Sequence, residues 1–248
     1  LGVEGSYADP AWTISSLKLE AYDGKWDLKG SGNAKEQGFA YHFEGALQGL
    51  NLGSYLGRQD DAGKILEGTL DLKGSLEGKG WGAESWSKNL AGQGDATLTT
   101  GRFNTFDPKD FLIALEPFKD LGKVRSNLKG FDAINFAWKI LQGKVMTDNL
   151  LVKSQDTVMD GEGSMGFDGL ANFRMDVFLS REVAEKLLPA LASSFKKHPQ
   201  AHLGPVPVLF SGSLLAPEVK PDPAQAEDFV EKIRKGKTKD LLCELVTE

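Results

Sequence analysis

The stretch Leu66–Gly80, LEGTLDLKGSLEGKG, alternates apolar and polar residues and decides the class of fold. A period of two is typical of a β-strand that buries one face. The apolar positions of this stretch are Leu66, Leu70, Leu72 and Leu76. Three more segments repeat the alternation, namely FAYHFEGAL at 39–47, INFAWKIL at 134–141 and FRMDVFL at 173–179. One-sided alternation predicts an antiparallel sheet, because parallel strands are usually apolar on both faces.

Glycine is unusually frequent, with 29 residues among 248, against a background of roughly 7%. The glycines are spread along the chain and do not form a linker. Turn dipeptides such as Asp-Gly and Gly-Lys separate the alternating segments. We therefore expect a mainly β fold of many strands, with the glycines in turns and bulges.

Helix signals interrupt the alternation in the middle of the chain. Asp107-Pro108 places an N-cap residue before a proline at the first helical position, which predicts a helix over about 107–121. Ser180 is a suitable cap for a second helix, over about 180–197. Pro189 lies inside that segment and should kink the helix.

A third helix signal comes near the C-terminal end. Asp222-Pro223 opens it, and Gly236 is a suitable stop. A last helical turn is predicted to carry Leu241, Leu242, Leu245 and Val246. The predicted organisation is a sheet domain over 1–222, with the helices at about 107–121 and 180–197 inserted. Amphipathic helices follow over 223–248, which makes three to four short α-helices in all.

Composition excludes several classes of function. The net charge is −6 with Lys and Arg interspersed among the acidic residues, so the basic stripe of a nucleic-acid-binding protein is missing. Cys243 is the only cysteine, which excludes an internal disulfide and a cysteine-based metal site. The sequence contains no run of about 18 apolar residues and no signal peptide at Leu1. Because the sequence starts abruptly, we expect an anchor or export signal upstream.

Two motifs that bind phosphate or metal in other proteins have simpler interpretations here. Gly161, Gly163 and Gly166 form a G-x-G-x-x-G pattern, but a strand pattern and not a helix follows it, so we interpret it as a β-turn. The three histidines are His42, His198 and His202. His42 falls on the polar side of a strand, and the other two lie in a predicted linker. A zinc site needs three or four convergent ligands, so no metal is expected.

The sequence does not single out a catalytic group. The carboxylates follow the polar sides of the predicted strands, as Asp71 and Glu77 do. No G-x-S-x-G nucleophile motif is present, and Cys243 lies in a predicted apolar helical turn where packing explains it. We therefore predict that the chain is not an enzyme and that it holds no cofactor.

The order of the segments over about residues 17–222 resembles the C-terminal region of the AsmA family of Gram-negative envelope proteins. The segments that carry the resemblance are Leu17–Leu56, with its Tyr22-Asp23-Gly24 turn, Ile65–Phe106, Phe131–Ser180 and Pro205–Asp222. The similarity rests on patterned glycines and alternation, without a chemical motif. It implies a long curved antiparallel sheet, forming a groove or an open barrel-like shape. It also implies kinship with TamB and with chorein-type bridge-like lipid transfer proteins.

The resemblance implies that the full-length protein is anchored in the inner membrane through an N-terminal segment that this sequence lacks. The bulk of the protein would then lie in the periplasm. The implied function is to bind or conduct lipid along the apolar face of the sheet, between the inner and outer membranes. Phospholipid or another fatty-acyl lipid is the expected ligand, and envelope proteins are further expected partners. The predicted groove residues are Leu70, Leu72, Leu76, Ile134, Phe136, Trp138, Ile140, Phe173, Met175, Val177 and Leu179.

Three other functions are compatible with the same pattern. A scaffold for outer-membrane assembly would have its apolar face filled by its own helices and would bind no lipid. An enzyme acting on an envelope polymer would show converging carboxylates in a polar cleft. A closed lipid carrier would pair its first and last strands.

Overall fold

The computed structural model describes residues 1–34, 39–56, 66–80, 82–105, 107, 112, 113, 115, 118, 119 and 128–245. Within these ranges, thirteen strands form one antiparallel sheet, which confirms the predicted class of fold. Twelve strands follow one another across the sheet in chain order, and the short β13 pairs with β11. The strands are β1 (Gly2–Ala8), β2 (Ala11–Ala21), β3 (Gly24–Asn33), β4 (Ala40–Asn51), β5 (Leu66–Lys79), β6 (Ala91–Phe103), β7 (Gly130–Leu141), β8 (Lys144–Lys153), β9 (Thr157–Gly166), β10 (Leu170–Leu179), β11 (His202–Ser213), β12 (Ala216–Pro221) and β13 (Leu242–Cys243).

Tight turns join several pairs of consecutive strands. Tyr22 and Asp23, between β2 and β3, have φ of 53° and 66°, and Gln142 and Gly143, between β7 and β8, have φ of 51° and 72°. Two consecutive left-handed residues make the turn whose twist matches that of the flanking strands. Among the described residues β1 pairs only with β2, and β12 only with β11, so the sheet is open. This goes against the hypothesis of a closed carrier.

The expected turns and bulges account for some glycines: Gly49 and Gly68 lie at β-bulges, and Gly143 lies in a turn. Other glycines lie in the middle of regularly paired strands. Gly74 and Gly94 are register partners in the middle of β5 and β6, and the Trp138 ring lies over both. A Cβ at Gly74 would be 2.5 Å from Cζ2 of Trp138. Glycine is therefore required at these positions to let a large side chain lie flat across neighbouring strands.

Glycines of the G-x-G-x-x-G pattern also lie within a strand and under large side chains. Gly161 and Gly163 lie inside β9, which is followed by the antiparallel β10. A Cβ at Gly163 would be 2.5 Å from the Phe173 ring, and a Cβ at Gly161 would be 2.9 Å from Cγ of Met175. The β-turn interpretation is wrong for both glycines, because their strand continues and two apolar side chains of β10 cover them.

Five short α-helices are described, one more than the highest number expected. They are α1 (Leu52–Leu56), α2 (Ala83–Asn89), α3 (Arg181–Leu187), α4 (Ala192–Phe195) and α5 (Pro223–Arg234). Ser180 caps α3 as predicted, since its side chain accepts a hydrogen bond from the Val183 backbone N–H at 3.4 Å. The kink predicted at Pro189 is a break: a 3₁₀ turn, Pro189–Leu191, separates α3 from α4. The helix predicted at 107–121 falls largely outside the described residues.

The C-terminal segment differs from the prediction of a final helical turn. Leu242 and Cys243 form β13, which pairs with Leu203 and His202 at the start of β11. The pairing of β12 with β11 starts only at Val208, so the backbone of β11 near His202 remains available to another strand. The Thr238–Leu241 segment before β13 is a 3₁₀ turn.

The core lies between the sheet and the helices. Strands β6–β11 contribute their apolar side chains, and α3, α4 and α5 pack on them with Val183, Phe195 and Phe229. The Phe118 and Phe229 rings are 5.7 Å apart between centroids. The helices therefore cover part of the β6–β11 half of the apolar face. In the part of the chain that the structure describes, no helix has the length and apolar character needed to cross a bilayer.

Candidate functional site: a concave apolar face

One continuous ladder of apolar side chains runs across the sheet. From β4 to β11 each strand contributes one register partner to this ladder, which consists of Leu50, Leu70, Leu98, Ile134, Val152, Met159, Val177 and Val206. Alternation puts these residues on the same face, although β-bulges between β4 and β5 and in the β7–β8 pair shift the register. The face that the sequence predicted to be apolar is thus one surface shared by eight strands.

The apolar face is concave. A cavity of about 200 Å³ is lined by Leu66 of β5 and Phe103 of β6 together with Phe210 of β11 and Val219 of β12. In a flat sheet, β5 and β12 would be about 34 Å apart, at roughly 4.8 Å for each of seven spacings. Both strands can line one cavity only because the sheet curls toward its apolar face.

The cavity is almost entirely apolar. Of its fourteen lining residues only Thr105 is polar; the others are Leu66, Phe103, Ile134, Leu150, Val152, Met159, Phe173, Met175, Val177, Val208, Phe210, Leu214 and Val219. Its floor belongs to the packed core, since Val177 is 1% exposed. Its walls include Phe173, Met175 and Phe210, which are only half-buried. The cavity is therefore open to solvent along its walls.

The structure brings four of the eleven predicted groove residues into this cavity: Ile134, Phe173, Met175 and Val177. Leu70 and Phe136 pack against the core beside it. Leu179 is fully buried under the helices and does not line the cavity. The remaining four lie elsewhere on the apolar face: Leu72 and Leu76 are on β5, and Trp138 and Ile140 are on β7.

Sequence reasoning missed the residues of β8, β11 and β12 that line the cavity. In β8, Leu150–Val152 are all apolar, so the sequence does not show which alternate residues face the core. In β11, prolines alternate with valines in PVPV, so both faces of the strand are apolar. The sequence therefore does not indicate on which face of the sheet Val208 and Phe210 lie. The register with β10 was needed to place them, because Met175 pairs with Val208 and Phe173 with Phe210.

Three polar atoms are buried on the apolar face without a hydrogen-bond partner among the described residues: Nε1 of Trp12, the hydroxyl of Tyr41 and Nε1 of Trp138. Tyr41 and Trp138 are 8% and 6% exposed. Each is a hydrogen-bond donor in an otherwise apolar surface. A buried donor without an acceptor costs free energy, so these three atoms destabilise the face locally.

The opposite face is polar and also contains a hollow, of about 880 Å³. Its charged lining residues are Lys18, Glu20, Lys25, Asp27, Lys29 and Glu44, which balance to zero net charge. Alternating charges of both signs on exposed strands are typical of a solvated surface. The larger hollow therefore has no excess of either charge.

Two neighbouring titratable groups on this polar side have raised pKa values. Burial, together with the nearby Asp160 and Asp222 carboxylates, raises the pKa of Asp176 against the opposing effect of Arg174. Burial and Asp176 raise the pKa of the Cys243 thiol, whereas a nucleophilic cysteine needs a lowered pKa. Among the described residues no group of three or more His, Cys, Asp or Glu is arranged to hold a metal ion.

The three histidines lie outside the apolar cavity. Burial lowers the pKa of His202, at the start of β11. Nδ1 of His198 is 3.4 Å from Oε1 of Glu244 on the exposed surface. His42 is exposed on the polar face of β4, as its parity predicted.

Comparisons with known proteins add no relative. No protein-family model matches this chain, and no curated protein and no solved structure is significantly similar to it.

Proposed function

We propose that this chain is a non-catalytic domain that binds the acyl chain of a phospholipid or fatty acid on its concave apolar face. The observation that carries the proposal is the apolar cavity, which strands from distant parts of the sheet enclose together. By its resemblance to the AsmA type, the full-length protein is proposed to be anchored in the inner membrane, with this domain in the periplasm. There it would move lipid between the inner and outer membranes.

The cavity is large enough for part of an acyl chain. Its volume of about 200 Å³ exceeds the roughly 150 Å³ of an engineered apolar cavity that binds benzene. Each methylene moved from water onto an apolar surface contributes about 0.8 kcal/mol. Several methylenes in the cavity therefore contribute a few kcal/mol before the entropic cost of binding is subtracted.

The rest of the acyl chain has a continuous apolar path to follow. Beyond the cavity, the same face continues through Leu72, Leu76 and Phe43 toward β2, and these side chains are half-buried. Half-buried side chains can still lose solvent-accessible area to a ligand. Complete burial of a sixteen-carbon chain would contribute about 12 kcal/mol relative to water, at about 0.8 kcal/mol per methylene, and a chain that lies on an open face gains a part of this.

The proposed function needs no reacting group. Transfer along an apolar surface depends on area and not on one essential side chain.

The test compares two variants of β10 that add the same charge on opposite faces. Phe173 lines the cavity, whereas its neighbour Asn172 is exposed on the polar face. Phe173→Glu should weaken binding of a fluorescent sixteen-carbon fatty acid by at least about tenfold, because it removes a cavity wall and adds a charge. Asn172→Glu should bind as the wild type does. Circular dichroism checks that both variants are folded.

Native mass spectrometry of the purified wild type, followed by lipid extraction, gives an independent readout. The proposal expects lipid to copurify with the wild type and to be depleted from Phe173→Glu. Equal binding by the two glutamate variants would refute the cavity as the site. Absence of any lipid binding by the wild type would refute the function and leave the scaffold hypothesis.

A further inference from the structure

The fourteen residues that line the apolar cavity divide into two groups by their burial. Five are buried, one from each of the consecutive strands β7 to β11, and they form the floor of the cavity: Ile134, Val152, Met159, Val177 and Val208. The other nine are half-buried and form its mouth: Leu66, Phe103, Thr105, Leu150, Phe173, Met175, Phe210, Leu214 and Val219. The cavity is therefore closed at the floor and open at the mouth.

The floor belongs to the part of the sheet on which the helices pack. All five floor residues are members of the core cluster to which α3 and α5 also contribute. These helices follow directly on β10 and β12, so they lie at the same end of the strands. Away from that end, the lining residues become less buried, from Val177 to Phe173 on β10 and from Val208 to Phe210 on β11. On these two strands the mouth therefore faces the β9–β10 and β11–β12 turns.

The only polar side chain of the cavity lies at its mouth. Every floor residue is apolar, Thr105 is the one polar lining residue, and none of the fourteen carries a charge. An ionised carboxylate or phosphate that is buried without a partner costs far more free energy than a buried methyl group contributes. The floor therefore excludes a lipid head group, whereas the methyl end of an acyl chain loses no hydrogen bond there.

We propose that the cavity takes an acyl chain with its methyl end first, so that the methyl end lies on the floor and the polar end stays outside the mouth in water. This inference rests on the proposed function, because it concerns how the same cavity holds its lipid. The ligand class that fits is an amphiphile with one polar end and an unsubstituted acyl terminus. A chain with a charged group at both ends does not fit, because one of the charges would have to lie on the floor.

Titration calorimetry of the wild type with unlabelled lipids tests the orientation. Hexadecanedioic acid carries a carboxylate at both ends and should bind at least about tenfold more weakly than hexadecanoic acid. N-hexadecanoylglycine is the matched control, because it adds a polar group at the head end only. It should bind within about threefold of hexadecanoic acid.

Paramagnetic broadening of the lipid's own NMR signals gives a second readout. A nitroxide is attached either at Leu215→Cys, in the β11–β12 turn beside the mouth, or at Gln155→Cys, between β8 and β9 near the floor. Both positions are exposed, and Cys243→Ser removes the native thiol from both variants. Hexadecanoic acid is labelled with carbon-13 at its methyl or its carboxyl carbon, which are about 15 Å apart in an extended chain. The Gln155→Cys nitroxide should broaden the methyl signal more, and the Leu215→Cys nitroxide the carboxyl signal.

Failure of this inference differs from failure of the proposed function. If hexadecanedioic acid binds less than tenfold more weakly than hexadecanoic acid, or if the order of broadening is reversed, the methyl-first orientation is overturned while lipid binding stands. If the wild type does not bind hexadecanoic acid at all, both the proposed function and this inference are overturned.

Discussion

Individual glycines determine how the large apolar side chains pack on this sheet. Trp138 lies across Gly74 on β5 and Gly94 on β6, and its ring replaces the side chains that those positions lack. Tyr41 lies over Gly78 in the same way, with its hydroxyl 2.5 Å from where a Cβ would be. The rings thus reach across strands, and burial of each ring depends on a glycine in a neighbouring strand.

Gly94→Ala should destabilise the protein by about 1–3 kcal/mol, the usual cost of overpacking. Its Cβ would meet the Lys73 carbonyl oxygen and would lie 2.6 Å from Cζ2 of Trp138. Urea unfolding at equilibrium measures the loss. Gly2→Ala is the matched control, because Gly2 is also in a strand but has no atom within 4 Å of a new Cβ. It should change the free energy of unfolding by less than about 0.5 kcal/mol, and equal losses in the two variants would contradict this account.

At the scale of elements, one carboxylate joins the longest helix to the sheet. Asp222 is 8% exposed, and its Oδ1 accepts from the Ala224 backbone N–H at 3.0 Å at the start of α5. Its Oδ2 accepts from Nη2 of Arg174 on β10, also at 3.0 Å. The Asp222 backbone N–H donates to the Pro207 carbonyl of β11. These three contacts fix where α5 begins and orient it on the core.

Asp222→Ala should therefore cost about 1–3 kcal/mol of stability, since it removes a helix cap and leaves Arg174 without its partner. Chemical denaturation followed by circular dichroism measures the change. Asp228→Ala is the control within the same helix: Asp228 pairs only with Lys232 on the exposed surface, where an ion pair contributes at most about 1 kcal/mol. The interpretation fails if Asp228→Ala is the more destabilising variant.

At the scale of the molecule, the sheet has two unlike halves. Strands β6–β11 are partly covered by helices and contain the packed core, whereas β1 is exposed throughout and β2 is at most half-buried. Opening free energies follow the density of buried contacts. The two halves should therefore differ in local stability even though they belong to one sheet.

Hydrogen exchange should resolve this difference. Backbone amides in the middle of β7, β10 and β11 are expected to exchange slowest, at rates set by global unfolding. Amides of β1 and β2 are expected to exchange several orders of magnitude faster, because the hairpin can open without disturbing the core. Mass spectrometry of peptic fragments measures both. Uniform protection across all strands would show instead that the sheet opens only as a whole.

The sequence alone determined the type of sheet and the apolar side of those strands in which apolar and polar residues alternate clearly. A period of two requires no distant information, since it follows from the direction of successive side chains in one strand. Stretches such as Leu66–Gly80 therefore predicted both the antiparallel sheet and its leucine face. Local signals also sufficed for the caps at Ser180 and Asp222, because a cap bonds to backbone only two or three residues away.

Tertiary structure alone decided the curvature, the cavity and the role of the glycines. Leu66 and Val219 are far apart in sequence and meet at one cavity only after the whole sheet has curled. The sequence alone would assign Gly94 to a turn, and only the register of the strands shows that Trp138 lies over it. β13 likewise depends on backbone that β12 leaves unpaired on β11. Each of these features is a relation between strands, and the alternation within one strand carries no information about which residue of the next strand lies opposite.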